Sequence, residues 1–249
     1  MVELRSADGS RPARGHAGEL VTLTGSDAVL QLVAPYASGA RLLLARFEGS
    51  LTVEEYLHRH GEPIRYGHVS SSWPLETYQN VYATAPRSAE MPSAGRPITS
   101  GLLTRLISRG VLVAPVTLHT GVSSPELDES PFPEQFEVPE ATARLLNATR
   151  QGGGRMIAVG TTAVRALESV AVPAGRVGAG QGWTGLMITA ERGAHVVDGL
   201  ITGWHEPQAS HLQMLEAIAG RELLGRCYRE ALAEGYLWHE FGDSHLILP

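Results

Sequence analysis

Cysteine, charge and long apolar runs are all scarce in this 249-residue sequence, and each scarcity excludes a class of protein. Cys227 is the only cysteine, which excludes an internal disulfide framework and is typical of a reducing compartment. No apolar run approaches the roughly 20 residues of a membrane-spanning helix, and the N-terminus lacks the apolar core of a signal peptide. Only 18% of the residues are charged and the net charge is −6, which argues against a broadly basic surface for nucleic acid. We therefore expect a soluble, cytoplasmic protein.

Hydrophobic residues make up 43% of the chain, enough for the core of one large domain or two small ones. Residues 1–65 contain short apolar segments separated by Gly, Ser, Asp and Pro, the pattern of a small strand-rich, β-barrel-like unit. In residues 66–249, strand-like and helix-like segments alternate, which predicts an α/β domain with a mainly parallel sheet and flanking helices. Its predicted strands lie at 111–121, 155–159, 185–189, 194–202 and 244–249, and the predicted helices at 98–110, 138–154, 161–171 and 209–234, the last broken at Gly220.

Polar residues stand where a predicted strand turns into a helix. Gly160 permits close approach of the backbone, Thr161 or Thr162 can cap the helix, and the free N–H groups of its first turn attract an anion or a carboxylate. Arg165, one turn further on, presents a planar fork that suits a carboxylate or a flat ring. An ordinary capped loop, with Arg165 paired to Glu168 or to a helix carbonyl, is the alternative interpretation.

Two further segments carry polar residues that suit a binding site. Thr117, His119 and Gly121 lie at the end of another predicted strand, where ligands bind in open parallel sheets. Histidine titrates near neutral pH, so His119 suits general acid–base catalysis, although a strand-end histidine also serves as a hydrogen-bonded structural residue. Arg96 lies in a proline-bounded turn before a predicted helix, which suits either contact with a ligand or a plain turn.

Histidines and tryptophans are concentrated in the C-terminal third, in the related segments WHEP and WHEF. Although His211, Asp243 and His245 lie nearby, the spacing matches no zinc motif, because HEPQASH is not an H-E-x-x-H sequence. We therefore expect no bound metal. The same region, with Trp204 and His205, suits a pocket that stacks on a flat ring such as a purine.

Seven segments follow one another in the order seen in S-adenosylmethionine:tRNA ribosyltransferase-isomerases, the enzymes of queuosine biosynthesis. They are YQNVYA, PSAGRPIT, VTLHTGV, FEVPEATARLLNATRQGGGRMIAVGTTAVRALES, GWTGLMIT, VVDGLITGWHEP and EGYLWHEFGDSHLIL. Because several motifs match in order, the chain resembles this family specifically over roughly residues 62–249, and residues 1–61 faintly resemble the family's inserted β-barrel.

The positions that match the family's motifs are His119, Gly121, Gly160 to Thr162, Arg165, His205 and Gly242–Asp243. Three segments that we expect to face the substrate differ. The family has a histidine and an aromatic residue where this chain has Arg96 and Pro97, and an asparagine-aromatic-histidine run where it has Gly203, Trp204 and His205. The family's HVGLGTF appears here as HTGVSSP.

The resemblance implies transfer and isomerisation of the ribosyl part of S-adenosylmethionine onto a 7-aminomethyl-7-deazaguanine base in tRNA, with release of adenine and methionine. S-adenosylmethionine is then consumed as a co-substrate, and tRNA is the second partner. The sulfonium acidifies the protons on the adjacent ribose carbon, so a base must remove one and an acid should assist adenine departure. We expect His119 and His205 in these two roles, with Asp243 and Glu206 next in line. The residues expected to bind substrate are Arg96, Thr117, Gly121, Gly160, Thr161, Thr162, Arg165, Trp204 and Asp243.

Two other functions remain open at this point. A diverged paralogue would use S-adenosylmethionine on a small-molecule acceptor. A non-catalytic protein would bind S-adenosylmethionine without consuming it.

Overall fold

The computed structural model describes residues 1–6, 11, 13–36, 41–64, 73–121, 132–206, 209–238 and 241–249. The chain divides into two compact units, Met1–Leu75 and Glu76–Pro249. The boundary predicted between residues 65 and 66 falls outside the described residues and stays a prediction.

The first unit is an antiparallel sheet followed by a helix. Its elements are β1 (Val2–Glu3), β2 (Leu20–Thr22), β3 (Val29–Pro35), β4 (Leu42–Glu48) and α1 (Val53–His60). The strands lie in the order β1-β4-β3-β2, and every pair is antiparallel. Helix α1 begins after Thr52, whose side chain forms a reciprocal capping box with Glu55, and ends at Gly61. A short strand-rich unit is thus present, as its segment pattern predicted.

The second unit contains the remaining helices and strands. They are α2 (Ser100–Ser108), β5 (Thr117–His119), β6 (Glu134–Val138), α3 (Glu140–Gln151), β7 (Ile157–Val159), α4 (Thr161–Ser169), β8 (Ala171–Val172), β9 (Arg176–Val177), β10 (Gly180–Thr184), β11 (Gly199–Thr202), α5 (His211–Ala219), α6 (Arg221–Ala233) and β12 (His245–Ile247). Single 3₁₀ turns occur at Ser93–Gly95 and Pro173–Gly175.

The strands of this unit form small sheets that are mostly antiparallel. One sheet has the order β10-β6-β5, a second has the order β12-β11-β7, and β8 pairs with β9. Within the described residues, β7 and β11 form the only parallel pair, so the predicted mainly parallel sheet is wrong. The alternation was misleading because α3 connects β6 and β7, which belong to different sheets, instead of joining neighbouring strands of one sheet.

One predicted strand is missing and the other four are shorter than predicted, with 194–202 reduced to Gly199–Thr202. Gly185–Thr189 forms no strand, and of 111–121 only Thr117–His119 is a strand. Val111, Leu112 and Val113 are about half exposed, so this apolar run is not the buried strand that its composition predicts. By contrast, the break between α5 and α6 lies at Gly220, as predicted, because its φ of 73° is a conformation that favours glycine.

The core of the second unit packs around helix α4. Val164 and Ala166 of this helix are fully buried with Leu200 of β11 and Leu215 of α5. Helix α4 also buries Arg165, which is only 6% exposed. A charged side chain in such surroundings requires polar partners, and those partners define the candidate site.

Candidate functional site

Glycine 160 joins β7 to α4 and brings the start of the helix close to another turn. Its φ of 96° favours glycine, and its N–H donates to the Ile201 carbonyl at 2.8 Å. A Cβ added here would lie 3.8 Å from the Cβ of Ala94 in the 3₁₀ turn. The predicted cap by Thr161 or Thr162 is absent, because the N-cap residue is Gly160, which has no side chain to make a cap bond. This end of α4 therefore keeps the anion-attracting character of an uncapped helix N-terminus.

The guanidinium of Arg165 is held by polar groups of the protein itself. Its Nη1 donates to Oε2 of Glu134 at 2.5 Å, and its Nε donates to the Leu186 carbonyl at 3.1 Å. Its Nη2 donates to the carbonyls of Phe132 and Thr184 at 3.3 and 2.9 Å. Four of its five N–H donors are thereby used. This geometry favours a bracing role for Arg165 over a direct fork onto a substrate carboxylate.

Glu168, the partner proposed in the alternative interpretation, bonds elsewhere. Its Oε1 accepts from the backbone N–H groups of His195 and Val196, each at 2.8 Å. Its Oε2 accepts from Nη1 of Arg192 at 3.0 Å. The alternative interpretation, in which Arg165 pairs with Glu168 or with a helix carbonyl, is therefore wrong, since the carbonyls that Arg165 bonds lie outside the helices.

Glu134, at the start of β6, is the site residue that sequence reasoning missed. Its Oε1 accepts from the Gly121 N–H at 3.3 Å, so one carboxylate holds both Arg165 and the turn after β5. Burial raises its pKa and so does Glu90, while Arg165 and the bond from Gly121 lower it, and burial is the largest effect. The signal was present in the sequence, because the period of two places Glu134 on the same face as Phe136 and Val138, where a carboxylate is unexpected.

Strand β5 carries the predicted catalytic residue His119 opposite Gln135 of β6, with Thr117 opposite Glu137. The Nδ1 atom of His119 is buried and has no hydrogen-bond partner among the described residues. Whether this nitrogen donates or accepts a hydrogen bond depends on the tautomer of the ring.

The other predicted catalytic residue, His205, follows β11 and is fixed from several sides. Its Nε2 lies 2.8 Å from Oγ1 of Thr202, and its backbone N–H donates to the Tyr228 hydroxyl at 3.2 Å. Its ring stacks on His211, with centroids 4.6 Å apart and an angle of 14° between the planes. Burial and the charge of Arg165 lower the pKa of His211, with burial the larger cause. His211 therefore connects His205 to the Arg165 region.

A recess is lined by Arg165 of α4 and by residues at the start of α5. Its lining includes Arg165 and His211 together with Ser210 and the apolar side chains of Ile188 and Met214. A charged or polar end and an apolar wall are thus combined in one small space.

Trp204 lies in a cluster of aromatic side chains and is only 6% exposed. It stacks on His245 with centroids 4.2 Å apart and planes at 7°, and its ring meets Tyr228, Tyr236 and Trp238 at 4.9, 5.7 and 6.0 Å. The cluster is filled by its own members. This packing favours a structural role for Trp204, supporting the loop that carries His205, over a stacking surface for a purine.

Arg96 and Asp243 both stabilise the segment before β12. Nη2 of Arg96 donates to the Gly242 carbonyl at 3.2 Å, and its guanidinium carbon lies 5.5 Å from the ring centroid of Phe241. Asp243 accepts from the Leu237 N–H at 2.8 Å and donates its own N–H to the Leu237 carbonyl at 2.9 Å. These contacts connect the PSAGRP and GDSH motifs, which lie far apart in the sequence.

Most of the predicted residues fall into two connected groups, while Thr117 and His119 lie on β5 outside both groups. In the first group, contacts run from Gly121 through Glu134 to Arg165, whose charge acts on His211, and from His211 to His205. The helix start at Gly160–Thr162 lies one turn from Arg165 on α4. In the second group, Arg96 and Asp243 hold the C-terminal segment, and Trp204 packs with its aromatic residues.

Across the described ranges, no group of three or more His, Cys, Asp or Glu side chains is arranged to hold a metal ion, and the absence of a metal stays a prediction. In this described part of the chain, every helix is too short or too polar to cross a membrane.

A family model described as queuosine biosynthesis protein matches residues 6–247. The chain belongs to this family. The predicted resemblance is thus confirmed, and the match contains every residue of both groups.

Two relatives and one solved structure are similar to this chain over most of its length. The S-adenosylmethionine:tRNA ribosyltransferase-isomerase of Symbiobacterium thermophilum is 40% identical over 241 residues, covering 93% of this chain and 70% of the relative. The protein of the same name from Gloeobacter violaceus is 40% identical over 220 residues, covering 85% of this chain and 62% of the relative. The crystal structure of the S-adenosylmethionine tRNA ribosyltransferase from Thermotoga maritima is similar with a TM-score of 0.54 and 28% identity, covering 89% of this chain and 62% of that one. The chain thus spans roughly two thirds of the length of these proteins.

Proposed function

We propose that this chain is an S-adenosylmethionine:tRNA ribosyltransferase-isomerase. It transfers and isomerises the ribosyl part of S-adenosylmethionine onto 7-aminomethyl-7-deazaguanine in tRNA, and releases adenine and methionine. The observation that carries this proposal is the 40% identity to a relative of that name across 93% of the chain. S-adenosylmethionine is the co-substrate, no metal takes part, and action on tRNA implies a cytoplasmic location.

The start of α4 is the proposed site for the methionine carboxylate. Gly160 allows close approach, and Thr161 and Thr162 lie in a first turn that no side chain caps. Arg165 supports this site from one turn below, through its bonds to Glu134 and to backbone carbonyls. The bracing leaves recognition of the carboxylate to backbone N–H groups.

Proton transfer is assigned to His119 and His205. One histidine takes the proton from the ribose carbon beside the sulfonium, and the other supplies a proton to the departing adenine. The Nδ1 of His119, which has no partner among the described residues, and the fixed orientation of His205 support these two roles, which substitution of each residue tests. Thr117 and Gly121 flank His119 and shape the same side of the site.

A product assay tests the proposed function. The protein is incubated with S-adenosylmethionine, with and without tRNA carrying 7-aminomethyl-7-deazaguanine, and adenine and methionine are measured by mass spectrometry. We expect both products in equal amounts only when this tRNA is present. Release with a small-molecule acceptor instead would indicate a diverged paralogue, and calorimetric binding without turnover would indicate a non-catalytic binding protein.

A further inference from the structure

We propose that His211 is a positioning residue for the reaction, and that it acts on His205 through its ring and not through a proton of its own. The role of His211 in the reaction rests on the proposed function. The control of the His205 ring by His211 is independent of any substrate.

The stacked pair is held on both sides, which distinguishes it from a chance contact. His205 is fixed by Thr202 at Nε2 and by Tyr228 at its backbone N–H. His211 is the first residue of α5, so its backbone is set by the helix. The planes of the two rings differ by only 14°. His211 thus limits rotation of the His205 ring away from its contact with Thr202.

The surroundings of His211 disfavour a proton on its own ring. Arg165 of α4 contributes a positive charge, and burial adds a larger penalty, so the pKa of His211 is lowered. The start of α5 adds the partial positive charge of a helix N-terminus. Beside His205, the Tyr228 hydroxyl accepts a hydrogen bond from the His205 backbone N–H. A neutral ring at position 211 is therefore the state in which the pair functions.

Substitutions of His211 distinguish a positioning role from a purely structural role. His211→Phe keeps a flat ring for stacking and removes both nitrogens. His211→Gln keeps polarity without a ring, and His211→Ala removes both features. His195→Ala is the matched control, because the ring of His195 is exposed and only its backbone N–H contacts Glu168.

The substrate-free measurement is nitrogen-15 NMR of the histidine rings in the whole protein, followed over pH. We expect the His205 ring signals to be unchanged in His211→Phe and in the control. In His211→Gln and His211→Ala, we expect them to move toward those of an exposed histidine. Unchanged His205 signals in the Gln and Ala variants would overturn the proposal, provided that circular dichroism shows all variants folded.

The kinetic measurement is kcat and KM for S-adenosylmethionine. We expect a loss of at least about tenfold in kcat for the Gln and Ala variants with KM kept, and recovery to within about threefold of wild type in His211→Phe. A His211→Phe variant as slow as His211→Ala would show that a ring nitrogen of His211 is required, and would overturn a role that needs only the ring. If the wild-type protein transfers no ribosyl group, the proposed function fails while the NMR result still decides the role of His211.

Discussion

Arg165 of α4 and Glu134 of β6 form an ion pair with side chains only 7% and 12% exposed. Burial lowers the pKa of Arg165 and raises that of Glu134, so removal from water outweighs the mutual attraction in each case. Such a pair adds little net stability, but the loss of one member leaves an uncompensated charge in the interior. Its value here is that it fixes β6, α4 and the turn at Gly121 relative to one another.

Removing the charge of Arg165 alone should be strongly destabilising. We predict that Arg165→Met lowers the free energy of unfolding by about 3–5 kcal/mol, because Glu134 is left buried and unpaired. Chemical denaturation monitored by circular dichroism measures the loss. The double variant Arg165→Met/Glu134→Gln should recover part of it. A double variant whose loss equals the sum of the two single losses would show that the pair is not coupled.

A side chain at Gly160 should strain the backbone and lower the stability of the protein. We predict that Gly160→Ala lowers the free energy of unfolding by about 1–3 kcal/mol, because its φ of 96° strains any other residue while the space beside Ala94 is adequate. Gly152→Ala is the matched control, because Gly152 ends α3 with a φ of −79°. Thermal and chemical unfolding of both variants provides the comparison. Equal effects at the two positions would exclude backbone strain as the cause.

The lowered pKa of His211 predicts how stability depends on pH. A histidine whose pKa is depressed by folding contributes stability that is present above its ordinary value of 6.5 and is lost as the pH falls toward its folded-state value. We therefore expect the free energy of unfolding of the wild type to fall more steeply below pH 6.5 than that of His211→Phe. Denaturation at a series of pH values measures this difference. Identical slopes for the two proteins would contradict the assigned neutral state.

Local signals in the sequence predicted most of the helices. Gly220 marks a helix end by chemistry that operates within a few residues, and the structure places the break there. Sheet pairing depends on contacts between distant segments, which the alternation of elements does not specify. The antiparallel return of β10 onto β6 is such a contact.

The candidate site was predicted in part for the same reason. Glycine and threonine after β7 and histidine in β5 are local signals, and their positions at element ends could be read directly. The partners of Arg165 lie 19 to 33 residues away, so the sequence could only suggest the nearby Glu168. The aromatic cluster around Trp204 likewise looked like an open stacking surface until its packing was known.

Substituting the two proposed catalytic histidines separates catalysis from binding. We predict that His119→Gln and His205→Gln each lower kcat by about 100-fold or more while the affinity for S-adenosylmethionine is largely kept. Glutamine keeps the size and some hydrogen bonding but cannot titrate near neutral pH. Calorimetry gives the affinity and single-turnover assays give the rate. Weakened binding with normal turnover at saturation would make both histidines binding residues, and the base would then be sought at Asp243 or Glu206.

The central claim is that this chain adds a ribosyl-derived group to a base in tRNA. The most direct measurement is nucleoside analysis of tRNA carrying 7-aminomethyl-7-deazaguanine, digested after reaction with the protein and S-adenosylmethionine labelled with carbon-13 in the ribose. We predict a new nucleoside that contains the five labelled carbons, formed in step with free adenine. The account would be contradicted if the 7-aminomethyl-7-deazaguanine nucleoside stays unlabelled and unchanged in mass while the folded protein binds S-adenosylmethionine.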